Sequence, residues 1–208
     1  MAVTLYACPT PTALPDVDPP GCTVQYGNII AVAFQIKQAT PSFDATTIKA
    51  QATWTPLLAS TTATGIRLVP ANNYTTTPGE AITEGGNDQT TFRGRKKLKY
   101  VGYTDVNFVM EGVSPAFATS VRDLTKFSAQ AGQRSVLRAF LLTDEDYVIS
   151  ASDFNGLDIH ALIVMDATQG GSYKPSNDYG VMFSLDYGWS HDMIGTKASF
   201  DVSLLQNP

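Results

Sequence analysis

The sequence predicts a mostly β fold: a β-sandwich or barrel with one α-helix inserted between strands, an extended N-terminal arm and one long projecting loop. Three observations carry this. Apolar residues alternate with polar ones in most segments, as in Ile30, Val32, Phe34 and Ile36, and a period of two marks half-buried strands. Thr, Ser, Gly and Tyr are frequent, the vocabulary of strands and turns. Only the stretch beginning at Ser114 combines a helix cap with a helical apolar period. Residues 1–27 form the arm, and residues 28–208 one domain, an ordinary size for a single β core.

In the arm, Pro9, Pro11, Pro15, Pro19 and Pro20 fall close together. Each removes a backbone donor and fixes an extended φ, which suits a stiff segment laid across a neighbour or a loose terminus. Strands follow over Asn28–Ile36, Thr47–Thr55 and Gly65–Val69. In the second, Ile48, Ala50, Ala52 and Trp54 alternate with Thr and Lys, and Pro56 ends it. Residues 71–94 are the least regular region and hold the turn-rich runs Thr75-Thr76-Thr77-Pro78-Gly79 and Glu84-Gly85-Gly86-Asn87-Asp88. A loop this long in a compact domain implies a role. It reads as a projecting hairpin or loop, with short strands at Ala81-Ile82 or Thr90–Phe92.

Strands resume at Lys96–Tyr103 and Val106–Met110. The helix, residues 114–128, opens with Ser114 as cap and Pro115 at the first helical position, where its missing N–H costs nothing. Phe117, Val121 and Leu124 share one face, which docks on a sheet. Four further strands are expected at Val136–Leu142, Tyr147–Ser150, Leu157–Met165 and Tyr179–Tyr187, and a last at Lys197–Leu205. Asp144-Glu145-Asp146 makes a hairpin turn, and Gln169–Asn177 a loop.

Charge is unevenly placed. Met1–Ala139 carries 12 bases and 9 acids, whereas Phe140–Pro208 carries 2 bases and 10 acids. A basic stretch and an acidic final third can attract copies of the chain head to tail. The basic run Arg93, Arg95, Lys96, Lys97 and Lys99 is the sharpest feature. It suits contact with the acidic turn Asp144, Glu145 and Asp146 of a neighbouring copy, protection of an exposed strand edge, or phosphate contact. The pI of about 4.9 opposes tight DNA binding. Charged residues make up only 16% of the chain, which fits a surface partly covered by neighbours.

No run approaches the roughly 18 apolar residues that span a bilayer, and the first residues lack a secretory pattern. The expectation is a protein folded in a cytoplasm and bound to no membrane. Cys8 and Cys22 are the only cysteines; they are read as free thiols, a bridge requiring an oxidising compartment. Nucleophile-elbow, phosphate-loop and dinucleotide-turn motifs are absent from the sequence. His160 lies inside a strand, the usual place of a structural imidazole. His191, in Trp189-Ser190-His191-Asp192, sits beside its would-be partners in sequence, an arrangement that seldom gives triad geometry. Asp144–Asp146 lacks the spacing of a calcium loop. No catalytic, cofactor or metal residues are expected. A rival reading is a glycan-binding β-sandwich using exposed tyrosines and Trp189, and a hydrolase using a carboxylate pair ranks behind it.

The arm, the strand ending in Trp54-Thr55-Pro56, the loop 71–94 and the lone helix Ser114–Phe127 together resemble small virion proteins of tailed bacteriophages, particularly tail-tube-type subunits. The run Cys22-Thr23-Val24-Gln25-Tyr26-Gly27 into the first strand also looks like structural proteins of phages that infect Bacteroidetes. The resemblance covers most of the chain in outline and rests on no single short motif. It implies a non-enzymatic subunit that self-assembles into rings or a tail tube, as a homohexamer, beside other virion proteins. DNA would pass nearby without specific binding, and assembly would take place in the host cytoplasm. Capsid decoration, head-fibre or connector roles are the alternatives within that setting.

Overall fold

The computed structural model describes residues 26–84, 97–128, 135–166, 168–169 and 177–206. Its centre is a pair of antiparallel strands, β1 (Ile29–Ile36) and β7 (Leu137–Thr143), registered from Ile36 opposite Leu137 to Ala31 opposite Leu142. Every residue of β7 is buried. Burial on both faces explains why it reads as an almost unbroken apolar run rather than an alternating one.

The other edge of β7 is divided. Near its start, Arg138 and Ala139 pair with Asp158 and Leu157 of β9 (Leu157–Val164). Near its end, Leu141 and Leu142 pair with Ile149 and Val148 of β8 (Tyr147–Ala151). The sheet therefore forks. One wing continues from β8 to β12 (Met193–Lys197), with β1 and β2 (Ile66–Pro70) on the opposite side. The other runs from β9 through β11 (Asn177–Leu185) and β6 (Thr104–Met110) to β3 (Asn72–Thr77). A short β10 (Thr168–Gln169) pairs with β11. The path β12 to β3 does not close on itself, so the architecture is an open antiparallel sheet and not a barrel.

The main core fills the space between the wings. Phe34 of β1 meets Phe183 of β11 edge to face at 5.8 Å, within a cluster that includes Phe108, Leu141 and Leu157. The helix α2 (Pro115–Asp123) adds Ala118 and Val121 to this cluster. As expected, the Ser114 hydroxyl accepts from the Phe117 amide at 3.2 Å and Pro115 stands in the first turn. A 3-10 turn, Leu124–Phe127, extends the helix.

A second core lies on the outer face of the first wing, and here the sequence reading needs correction. Thr47–Thr55 is no strand: a 3-10 turn, Thr47–Lys49, leads into a helix, α1 (Gln51–Ala59). Of the residues that seemed to alternate, only Ile48 and Trp54 are buried. The alanines between them fit either period, so the alternation carried little information. Trp54 packs on Phe43 at 4.5 Å and Phe140 at 5.7 Å, and its indole N–H donates to the Ile48 carbonyl at 2.9 Å. Lys197–Leu205 is corrected likewise. The strand β12 ends at Lys197 and a 3-10 turn covers Val202–Gln206, with Ala198, Val202 and Leu205 buried at near-helical spacing.

The Asp44 carboxylate opens the turn before α1, accepting from the amides of Thr46 and Thr47 at 2.8 Å each and from the Thr47 hydroxyl at 3.0 Å. These bonds, the Thr47 amide first, hold its pKa below the ordinary value. A depressed folded pKa gives stability that is complete above the unfolded value of about 3.9 and is lost as pH falls through the folded one. The variant Asp44→Asn should thus show a flatter loss of stability below about pH 4 than the parent. Denaturant melts across that range check this; superimposable curves would refute it.

Residues 1–25 lie outside the described residues, so the expected arm is seen only at its end. There Tyr26 packs edge-on against Tyr147 at 5.4 Å.

Candidate functional site

The feature that leaves the sheet is a ribbon. Strands β3 and β6 pair as far as Thr77 opposite Asp105. Beyond Pro78-Gly79 on one side and Gly102-Tyr103 on the other, the same two chain segments pair again as β4 (Ala81–Glu84) and β5 (Lys97–Val101), in a two-stranded sheet of their own. Gly79 permits the break: a Cβ there would collide with the backbone oxygens of Gly102 and Tyr103. The expected irregular loop is therefore partly strand. Its threonines 75–77 belong to β3, because β-branched side chains favour extended backbone. Ala81-Ile82 is strand, as anticipated; Thr90–Phe92 lies outside the described residues. On the ribbon Leu98 is 62% exposed, Tyr100 52% and Ile82 42%.

The second feature is a groove in the fork. Where β8 and β9 part, the connection through Phe154 and Gly156 takes positive φ at both residues, 57° and 75°. Arg138 fastens it. Buried to 5% exposure, its guanidinium donates to the carbonyls of Asn155 and Gly156 at 3.2 and 3.3 Å and to Asp153 at 3.2 Å. Nη2 donates to Asp158 at 3.3 Å, while Nε stands 2.9 Å from the other oxygen of Asp158 without the alignment of a hydrogen bond. Nothing in the composition singles out this arginine. The available signal was a cation inside an apolar run, Leu137-Arg138-Ala139-Phe140.

A cleft of about 180 Å³ opens beside Arg138, walled by Asp153, Asp158, Asp186, Tyr187, Trp189 and Asp192. It adjoins a hollow of about 420 Å³ that shares Asp158 and Asp186 and adds Lys37, Tyr103 and His160. A third hollow, between Asp186, Tyr187 and Tyr100, reaches the base of the ribbon. Four carboxylates against Arg138 and Lys37 leave this groove with a net −2 formal charge. Tyr187, 68% exposed, is the most open large hydrophobic side chain among the described residues.

The residues selected for self-contact divide. Arg93, Arg95 and Lys96 lie outside the described residues; Lys97 and Lys99 are on β5, where Lys99 is exposed and makes no ion pair among the described residues. Asp144 accepts from the backbone and side-chain nitrogens of Asn28 at 2.7 and 3.0 Å. Asp146 accepts from the Val202 amide at 3.0 Å. That turn clamps the start of β1 and the C-terminal turn, and Glu145 lies beside Gly27. Among the described residues, Lys99 makes no ion pair with Asp144, Glu145 or Asp146.

Neither histidine side chain is hydrogen-bonded to a serine or a carboxylate among the described residues. His160 stacks on Tyr103 at 4.2 Å with 11° between the planes. His191 is exposed on a short helix, Trp189–Asp192; Asp192 instead accepts from Ser152. No group of three His, Cys, Asp or Glu among the described residues could hold a metal ion. No helix there is long and apolar enough to cross a membrane.

No protein-family model matches the sequence, and no curated protein matches it. Among solved structures the chain is similar to the sheath/tube terminator of an extracellular contractile injection system, at 12% identity over 86% of this chain and 99% of that one, TM-score 0.39. It is also similar to a sheath-tube complex of such a system, at 10% identity over 83% and 92%, and to the tube-terminating cap of the anti-feeding prophage, at 8% identity over 87% and 97%, both with TM-score 0.39.

Proposed function

We propose that this chain is a non-enzymatic structural subunit of a phage-tail-like particle, which assembles with copies of itself into a ring or tube, as a hexamer, beside other tail proteins. The observation that carries self-assembly is the ribbon β4–β5. A two-stranded sheet is at best marginal alone in water, and this one exposes Leu98, Tyr100 and Ile82. A neighbouring subunit covering them would supply the missing third layer. The particle setting comes from the sequence resemblance to tail-tube-type virion proteins, and a host among the Bacteroidetes is its finest-grained form. DNA passing an acidic surface would slide without binding.

Light scattering after size-exclusion chromatography, with negative-stain microscopy of concentrated protein, tests this reading. Rings or stacks that grow with concentration are the expected result. A single monomeric species at every concentration and salt would defeat it. The second reading, a glycan site, is favoured by the placing of Tyr187 and Trp189 beside the carboxylates of the groove. A glycan array distinguishes it.

A further inference from the structure

We propose that the acidic groove in the fork receives the basic segment 81–101, whose two ends form the ribbon, of a second copy of this chain. The inference rests on the self-assembly reading and names its two contacting surfaces. The ribbon segment carries Arg93, Arg95, Lys96, Lys97 and Lys99 against only Glu84 and Asp88, a net +3. The groove is walled by Asp186, by Asp153 and Asp158, which Arg138 engages, and by Asp192, which accepts from Ser152. Asp186 makes no side-chain hydrogen bond or ion pair among the described residues, although it borders all three hollows. A carboxylate at such a junction, with no cation paired to it among the described residues, is placed to meet one from outside.

The aromatic walls agree with the charge. A guanidinium or ammonium entering between Tyr187 and Trp189 gains face-on contact with rings as well as the carboxylates beyond them. The ribbon also brings Leu98 and Tyr100, whose exposed surface would be covered in the same step. Charge favours a cation over a neutral ligand here, and the chain's own sharpest basic segment is the occupant to hand. The turn Asp144–Asp146, the other acidic cluster, is a poorer receiver because it borders none of the three hollows and holds Asn28 and Val202. The segment 81–101 and the two hollows around Arg138 and Lys37 share no residue, so the contact is head to tail and builds rings or open stacks rather than closed pairs.

Two full-length variants test the contact. One reverses the ribbon with Arg95→Glu, Lys97→Glu and Lys99→Glu; the other reverses the groove with Asp186→Lys and Asp192→Lys. Asp186→Lys alone serves as a milder version, and circular dichroism melts confirm that each is folded. Each variant by itself should associate at least about tenfold more weakly than the parent at 0.1 M salt, because like charges then face each other. An equimolar mixture should recover the oligomers, since each reversed surface finds its complement. Oligomers that persist in the separate variants would overturn the groove contact while leaving self-assembly intact, as would folded variants that stay apart when mixed. A parent that never associates would remove both. Loss of glycan binding in the groove variant, with association unchanged, would transfer the groove to a sugar ligand.

Discussion

Replacing Trp54 with Ala should lower stability by about 3–5 kcal/mol, the usual cost of truncating a large buried aromatic side chain. In a domain of this size that corresponds to a fall of roughly 6–20 °C in melting temperature. Trp54 is fully buried and is the contact through which α1 joins Phe43 and Phe140 on the outer face of the first wing. Removing it leaves a void between the helix and the sheet and an unpaired Ile48 carbonyl. Trp54→Phe should cost less, since the ring contacts survive and mainly the indole hydrogen bond is lost. Urea unfolding followed by far-ultraviolet circular dichroism measures both. A loss below about 1 kcal/mol for Trp54→Ala would show that the second core does not support the fold.

The second large effect is expected at Arg138. Arg138→Ala should destabilise by about 2–4 kcal/mol, less than for a fully buried ion pair because Asp153 and Asp158 are half exposed. The carbonyls of Asn155 and Gly156 lose their donor, and two carboxylates are left facing one cavity. Raising the salt concentration should recover part of the loss by screening those carboxylates, which an ordinary core truncation would not do. Arg138→Lys should not rescue fully, because one ammonium cannot reach both carbonyls and both carboxylates as a planar fork does. Denaturant melts at two salt concentrations decide it. A salt-independent loss would mean that Arg138 acts by packing alone.

Much of the secondary structure was legible. Ser114-Pro115 and the face Phe117, Val121 and Leu124 located α2 because capping and helical period are local properties of the chain. Nine of the expected strand segments correspond to strands, most of them because their alternation or apolar runs are set by burial on one or both faces. The failures have a common cause. Around Trp54 and around Val202 the buried residues are few, and the small or neutral residues between them suit two periods equally well. The choice of helix or turn there depends on what the large side chains can reach, Phe140 for Trp54 and the outer face of the first wing for Val202 and Leu205.

The candidate site was less legible than the fold. The basic run and the acidic final third were visible as charge counts, but counts do not show which carboxylates share one surface. Asp144 and Asp146 look available in sequence and are engaged by Asn28 and Val202 in the structure. Asp153, Asp158, Asp186 and Asp192 are spread along the final third and meet only because β8 and β9 part from β7. Residue order alone specifies a β-rich chain with one capped helix, a polar excursion rich in turns and a charge divided between its two parts. That the sheet forks around Arg138, that the segments flanking residues 85–96 pair as a two-stranded ribbon, and that an acidic, aromatic groove lies in the fork are visible only once the chain is folded. Alternation and capping are read within a few residues of chain, whereas a fork and the groove inside it arise from pairings between segments far apart in sequence.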